Sequence, residues 1–134
     1  MTLDIGPLVK AITRLEEALD VYGRDTSHAL IRDGLVQRFE FTYEISHRML
    51  KRYLEETSPT PGQFDEMSFQ DLIRSGSEEG LLLHGWPEWR TYRDMRSRTS
   101  HTYDEGVALE VVAGIPAFLE EARFLREEIA RRQT

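Results

Sequence analysis

Residues 96 to 103 read Arg96-Ser97-Arg98-Thr99-Ser100-His101-Thr102-Tyr103, which sets a fixed cation, an imidazole and a phenol within eight positions. These are the groups that phosphodiester cleavage uses. An arginine stays charged at any working pH and holds a phosphate bidentately, and a histidine exchanges a proton near neutrality, as removal of a proton from a ribose hydroxyl requires. The spacing sets a condition. Five residues of ideal helix turn through about 500°, or about 140° after one full turn is subtracted, so an unbroken helix aims Arg96 and His101 apart. They converge only if the helix ends or bends between them. Thr99, Ser100 and Thr102 prefer capping to helix interiors, and Asp104-Glu105 puts acidic residues where a new helix would begin. The same spacing also suits a helix junction braced by the two side chains, so the motif alone leaves both readings open.

Arginines cluster just before it. Trp86 to His101 holds Arg90, Arg93, Arg96 and Arg98 against Glu88 and Asp94, four positive charges to two negative, in a chain whose net charge is −7. Arg90, Arg93 and Arg96 follow at i, i+3 and i+6 along one side of a helix, as a solvated face or as a small phosphate-binding patch. The acidic balance argues against a nonspecific duplex binder, which needs a basic footprint. Glu44-Ile45-Ser46-His47 has the Glu-x-x-His spacing that donates ligands to two-metal carboxylate sites in helical bundles. A second such element is missing, so no metal or other cofactor is expected, and Glu40 and Glu44 are expected to pair with Arg48, Lys51 or arginines of a neighbouring helix. His28 and His84 read as caps or surface residues, Trp86 and Trp89 as core or interface anchors.

The elements that must position these residues are helical. The 134 residues suffice for one domain, 1–134, with a real core. The absence of cysteine excludes disulfides and thiolate chemistry. No leader and no membrane span is evident, so a soluble cytoplasmic protein is expected. Leu8, Ala11, Ile12, Leu15, Ala18, Leu19 and Tyr22 mark a first helix from about Pro7 to Tyr22. Leu35, Phe39, Thr42, Ser46, Met49 and Tyr53 mark a long central one, from Thr26 or Asp33 to Glu56. Phe41 and Ile45 fall on another side of it, which implies that it is covered twice, by its own bundle and by a second subunit. Residues 57 to 62 read as a loop. A shorter helix begins near Glu66, Leu81-Leu82-Leu83 reads as a short buried segment, a fourth helix runs from Pro87 to Arg98, and a last one from Asp104 towards Arg132, bent or divided at Gly114 and Pro116. The fold class is therefore an all-α, up-and-down bundle of four to five helices.

Two segments resemble a known family. Ile31 to Glu44, continuing through Leu50-Lys51-Arg52-Tyr53-Leu54, resembles the signature central helix of the HEPN superfamily, in its branch of nucleotidyltransferase substrate-binding proteins or HepT-like toxins. Trp89 followed by Arg96-x4-His101-Thr102-Tyr103-Asp104-Glu105 resembles that branch's second signature. The resemblance implies a metal-independent endoribonuclease, the toxin of a toxin–antitoxin pair, acting on RNA such as transfer RNA as a homodimer or higher even oligomer. Its partner would be a minimal nucleotidyltransferase antitoxin that silences it by AMPylation. Carried over by position, Arg96 and His101 would be catalytic, Tyr103 the modification site, and Ser97, Arg98, Arg93 and Arg90 would support RNA phosphates. Ser97 stands where the family usually has asparagine, and Arg98 where it often has an apolar residue. The alternatives are a non-catalytic subunit that binds nucleotide or presents a substrate to a nucleotidyltransferase, and a structural helical module. Catalysis needs Arg96 and His101 accessible; a merely structural pair would be buried and mutually satisfied.

Overall fold

The computed structural model describes residues 2–134. Among them five α-helices form: α1 Gly6–Arg24, α2 Ala29–Thr57, α3 Phe69–Glu78, α4 Trp86–Arg98 and α5 Glu105–Arg132, with short 3-10 turns at Pro61–Phe64 and Thr99–His101. The all-α bundle expected from periodicity is what the chain adopts. Helix α2 is its hub and packs on all four other helices. It runs antiparallel to α1, with Arg38 donating to the Arg14 carbonyl and Thr42 to that of Ala11. Arg123 of α5 reaches Glu16 of α1, and the Gln133 side chain bonds both backbone groups of Leu3, which closes the bundle at its chain ends.

Caps explain the helix starts. His28 accepts from the Ile31 N–H through Nδ1, so α2 begins between the two expected starts and His28 is a cap, as its position suggested. Ser68 accepts from the Asp71 N–H, which moves the start of α3 from the expected Glu66 to Phe69. Gly80, at φ 73°, ends that helix in a Schellman turn, with its N–H on the Ser77 carbonyl and that of Leu81 on Gly76.

One expectation is narrowed and one corrected. Of the bend or division expected at Gly114 and Pro116, the division does not occur: Pro116 lies inside a continuous α5 on the exposed face, where water can take the freed carbonyl, while Ile115, Phe118 and Leu119 stay buried on the inner face. Leu81 and Leu82 are buried but Leu83 is 41% exposed. The reason is Glu121, wholly buried on α5, whose carboxylate accepts from the N–H groups of Leu83 and His84 at 2.6 and 3.1 Å, and so turns the backbone rather than the Leu83 side chain inward. Burial pushes the Glu121 carboxyl above its ordinary range, and these hydrogen bonds offset only part of that.

The core that fixes α4 is aromatic. Trp89, without exposed surface, meets Tyr43, Phe69, Tyr92 and Phe118 at ring-centroid distances of 6.4, 6.4, 5.3 and 6.3 Å. Six residues on, Met95 packs over Gly114 of α5, where an added Cβ would lie 2.6 Å from its sulfur. This close approach seats the end of α4 on α5. On the opposite side of α2, Phe41 is 53% exposed and shares a groove with Pro7, Ala11 and the half-buried Ile45, so the second apolar side of the central helix is partly uncovered in the single chain.

Replacing Gly80 by alanine forces a left-handed residue and should destabilise the protein by about 1 to 2 kcal/mol. Gly34→Ala, mid-helix with no atom within 4 Å of the new Cβ, should stabilise it by roughly 0.5 to 1 kcal/mol. Urea midpoints of both variants at constant slope check the pair, and a common sign would contradict the geometry.

Candidate functional site

Helix α4 ends where its sequence weakens. Thr99, buried, donates through Oγ1 to the Arg96 carbonyl at 2.7 Å, a 3-10 turn follows over Thr99–His101, and Thr102 donates back to the Thr99 carbonyl. Asp104 then caps α5 by accepting from the Val107 N–H. The break expected between Arg96 and His101 therefore exists, and serine and threonine side chains build it.

Arg96 is held at two of its three guanidinium nitrogens. Nε donates to Glu44 Oε1 at 3.1 Å and Nη1 to Thr99 Oγ1 at 3.1 Å, while Nη2 has no partner among the described residues. Its side chain retains 35% exposure. The other oxygen of Glu44 faces His47 Nε2 at 3.1 Å, and the His47 ring lies edge-on to Phe69. Burial raises the Glu44 carboxyl, but His47 and Arg96 together outweigh it and hold the group below its ordinary range. Glu44 thus pairs with an arginine of a neighbouring helix, as expected. No group of three or more His, Cys, Asp or Glu placed to hold a metal occurs among the described residues.

The remaining predicted residues spread along and beyond α4. His101 is exposed and makes no side-chain hydrogen bond among the described residues, so none joins it to Arg96. They are neither buried nor mutually satisfied, which removes the condition for a braced junction. Tyr103 is 87% exposed, its ring centroid 6.1 Å from that of His101. Arg98 pairs with Glu110 of α5. Ser97 is exposed, as are Arg90 and Arg93, and the Arg93 guanidinium sits 5.5 Å from the centroid of the Phe69 ring. The sequence reading missed Glu44, His47 and Thr99 as parts of the site. The Glu-x-x-His spacing drew attention to the first two for metal binding, and the partner of Glu44, 52 positions away, is a tertiary fact.

The arrangement can grip one anion at Arg96 and move a proton at His101. A family model described as nucleotidyltransferase substrate binding protein like matches residues 3–131. A Haemophilus influenzae protein named probable ribonuclease HepT is 38% identical over 112 residues, 81% of this chain and 76% of its own length. Among solved structures, a Haemophilus influenzae protein described as having the fold of a nucleotidyltransferase's substrate binding domain superposes with a TM-score of 0.87 at 32% identity, over 95% of this chain and 99% of its own. A Thermus thermophilus protein superposes with a TM-score of 0.74 at 28% identity, over 91% of this chain and 98% of its own.

Glu44→Gln should lower stability by about 1 kcal/mol at neutral pH, a modest figure because the pair is partly exposed. Since the folded-state carboxyl is depressed, this contribution is complete above the ordinary glutamate range and is lost as pH falls through the lowered value. Urea unfolding of both proteins at pH 7 and near pH 3 should show the gap closing in acid; a gap that widens there contradicts the assignment.

Proposed function

The chain belongs to the nucleotidyltransferase substrate binding protein family, and on that premise we propose that it is a metal-independent endoribonuclease, the toxin of a pair whose other member is a minimal nucleotidyltransferase. The observation that carries this reading is the oriented Arg96, with one free guanidinium edge, followed across a built helix break by an exposed His101. In its neutral form His101 takes the proton of a ribose 2′-hydroxyl as that oxygen attacks the adjacent phosphorus. Arg96 stabilises the charge that grows on the phosphoryl oxygens. The bond to the 5′ oxygen breaks, and that oxygen leaves with a proton from the second subunit's histidine, so the products are a 2′,3′-cyclic phosphate and a 5′-hydroxyl. Glu44, which contacts no RNA, positions Arg96.

Residues 1–134 act as one domain in this reading, in the cytoplasm and as a homodimer or higher even oligomer. The exposed Phe41, in a groove it shares with half-buried Ile45, supports self-association. Silencing follows from AMP transfer: the Tyr103 hydroxyl oxygen attacks the α-phosphorus of ATP, its proton is lost and pyrophosphate departs. The new phosphodiester, two residues from His101, adds bulk and negative charge where RNA phosphate must sit. Tyr103's exposure favours such a modification. A second reading, a non-catalytic subunit that presents nucleotide or substrate to the transferase, draws on the description of the Haemophilus influenzae fold neighbour.

Induced expression in a bacterial host tests the two. Growth arrest with loss of transfer RNA is expected, and His101→Ala should abolish it, with cleavage reduced at least about 10²-fold. Tyr103→Phe should keep cleavage and accept no AMP from the partner. Intact RNA from a folded, well-expressed native protein would support the binding subunit instead.

A further inference from the structure

Helix α4 carries a second feature outside the cleavage motif. Trp86, Arg90, Arg93 and Ser97 follow at four-, three- and four-residue steps, so they share one ridge, about 16 Å long at the helical rise. With Asp94 they line a shallow groove. Among the described residues the ion pairs of α4 are those of Arg96 with Glu44 and Arg98 with Glu110, and Arg90 and Arg93 take part in none. Phe69 organises this strip from beneath. The Trp86 ring packs edge-on against it at 5.9 Å, and the Arg93 guanidinium lies over its face at 5.5 Å. Trp86 nevertheless keeps part of its surface exposed. The groove thus offers a fixed indole and two uncompensated guanidiniums against the single charge of Asp94, in a protein whose net charge is −7.

We propose that this ridge is a binding site for an unpaired segment of RNA, with a base stacked on Trp86 and the following phosphates held by Arg90 and Arg93 on the way to Arg96. It rests on the ribonuclease reading for what stands at the ridge's end, and it names the substrate class of that site. An aromatic face accepts any base, and guanidiniums one helical turn apart track a flexible backbone. Duplex RNA hides its base faces and would need more phosphate contacts than this narrow strip supplies. The surrounding acidity confines RNA to the strip, and the Ser97 end delivers it beside Arg96.

The test is fluorescence anisotropy of a labelled single-stranded ribo-oligomer of roughly ten nucleotides, and of its duplex, titrated with full-length His101→Ala protein so that cleavage is silent. Trp86→Ala should weaken single-strand binding by about 5- to 150-fold, and Trp86→Phe should restore most of it. Arg90→Ala with Arg93→Ala, both at exposed positions, should weaken binding and reduce the slope of log affinity against log salt by about 1.4. Unchanged binding in either set, or a duplex bound as tightly as the single strand, overturns the site. If the native protein cleaves RNA but the ridge variants bind as before, the site fails and the ribonuclease reading stands. If the ridge governs binding but the native protein cuts nothing, the ribonuclease reading fails and the site stands.

Discussion

The burial of Trp89 is the contact on which the placement of every candidate residue depends. Its ring, without exposed surface, meets aromatic side chains of α2, α3 and α5 and a neighbour on α4 itself. Packing of this kind accepts one depth and one rotation, because interiors are filled at crystal-like density. The indole Nε1 is buried and meets no acceptor among the described residues, so apolar contact is what holds the ring. With Trp89 fixed, Arg96 stands seven residues on, close to two helical turns, and so points back towards α2 beside Glu44. Met95 over Gly114 fixes the same end of the helix from the other side.

The pairing of Arg96 with Glu44 then serves orientation more than stability. A half-exposed ion pair contributes little to folding. Two bonds nonetheless restrict a long side chain to one geometry and leave Nη2 free. In the proposed reaction that order matters because a guanidinium already in place needs no reorganisation when charge develops on phosphorus oxygens. His101 has the opposite character. It is exposed, unbonded and carried on a tight turn, which suits a group that must meet substrate and exchange protons. In the proposed reaction the two would divide the work between a fixed charge and a reachable base.

Much of this was legible in the chain. The stripe from Leu8 to Tyr22 and that from Leu35 to Tyr53 gave α1 and α2, because amphipathic periodicity records which face is buried. The break after Arg98 was legible because threonine and serine compete for backbone groups, and Asp104 because it caps. What failed depended on contacts between elements. Pro116 divides a helix only where the lost hydrogen bond cannot be replaced, and its exposed position was not written in its identity. Glu121 falls among Phe118, Ala122 and Leu125 at helical spacing, a signal of a buried carboxylate, but its hold on residues 83 and 84 was not legible. The Glu44–Arg96 bond likewise joins residues 52 positions apart, whose proximity only the packed bundle creates.

The chemistry at the heart of the account leaves a signature on its products. Purified native protein should be incubated with transfer RNA in excess chelator and the new ends identified by enzymatic end-labelling and mass spectrometry. A 2′,3′-cyclic phosphate paired with a 5′-hydroxyl, formed at an unchanged rate with the chelator present, is the expected result. Ends bearing a 3′-hydroxyl and a 5′-phosphate, or cleavage that stops when metal is removed, would contradict attack by a ribose hydroxyl under His101 and Arg96.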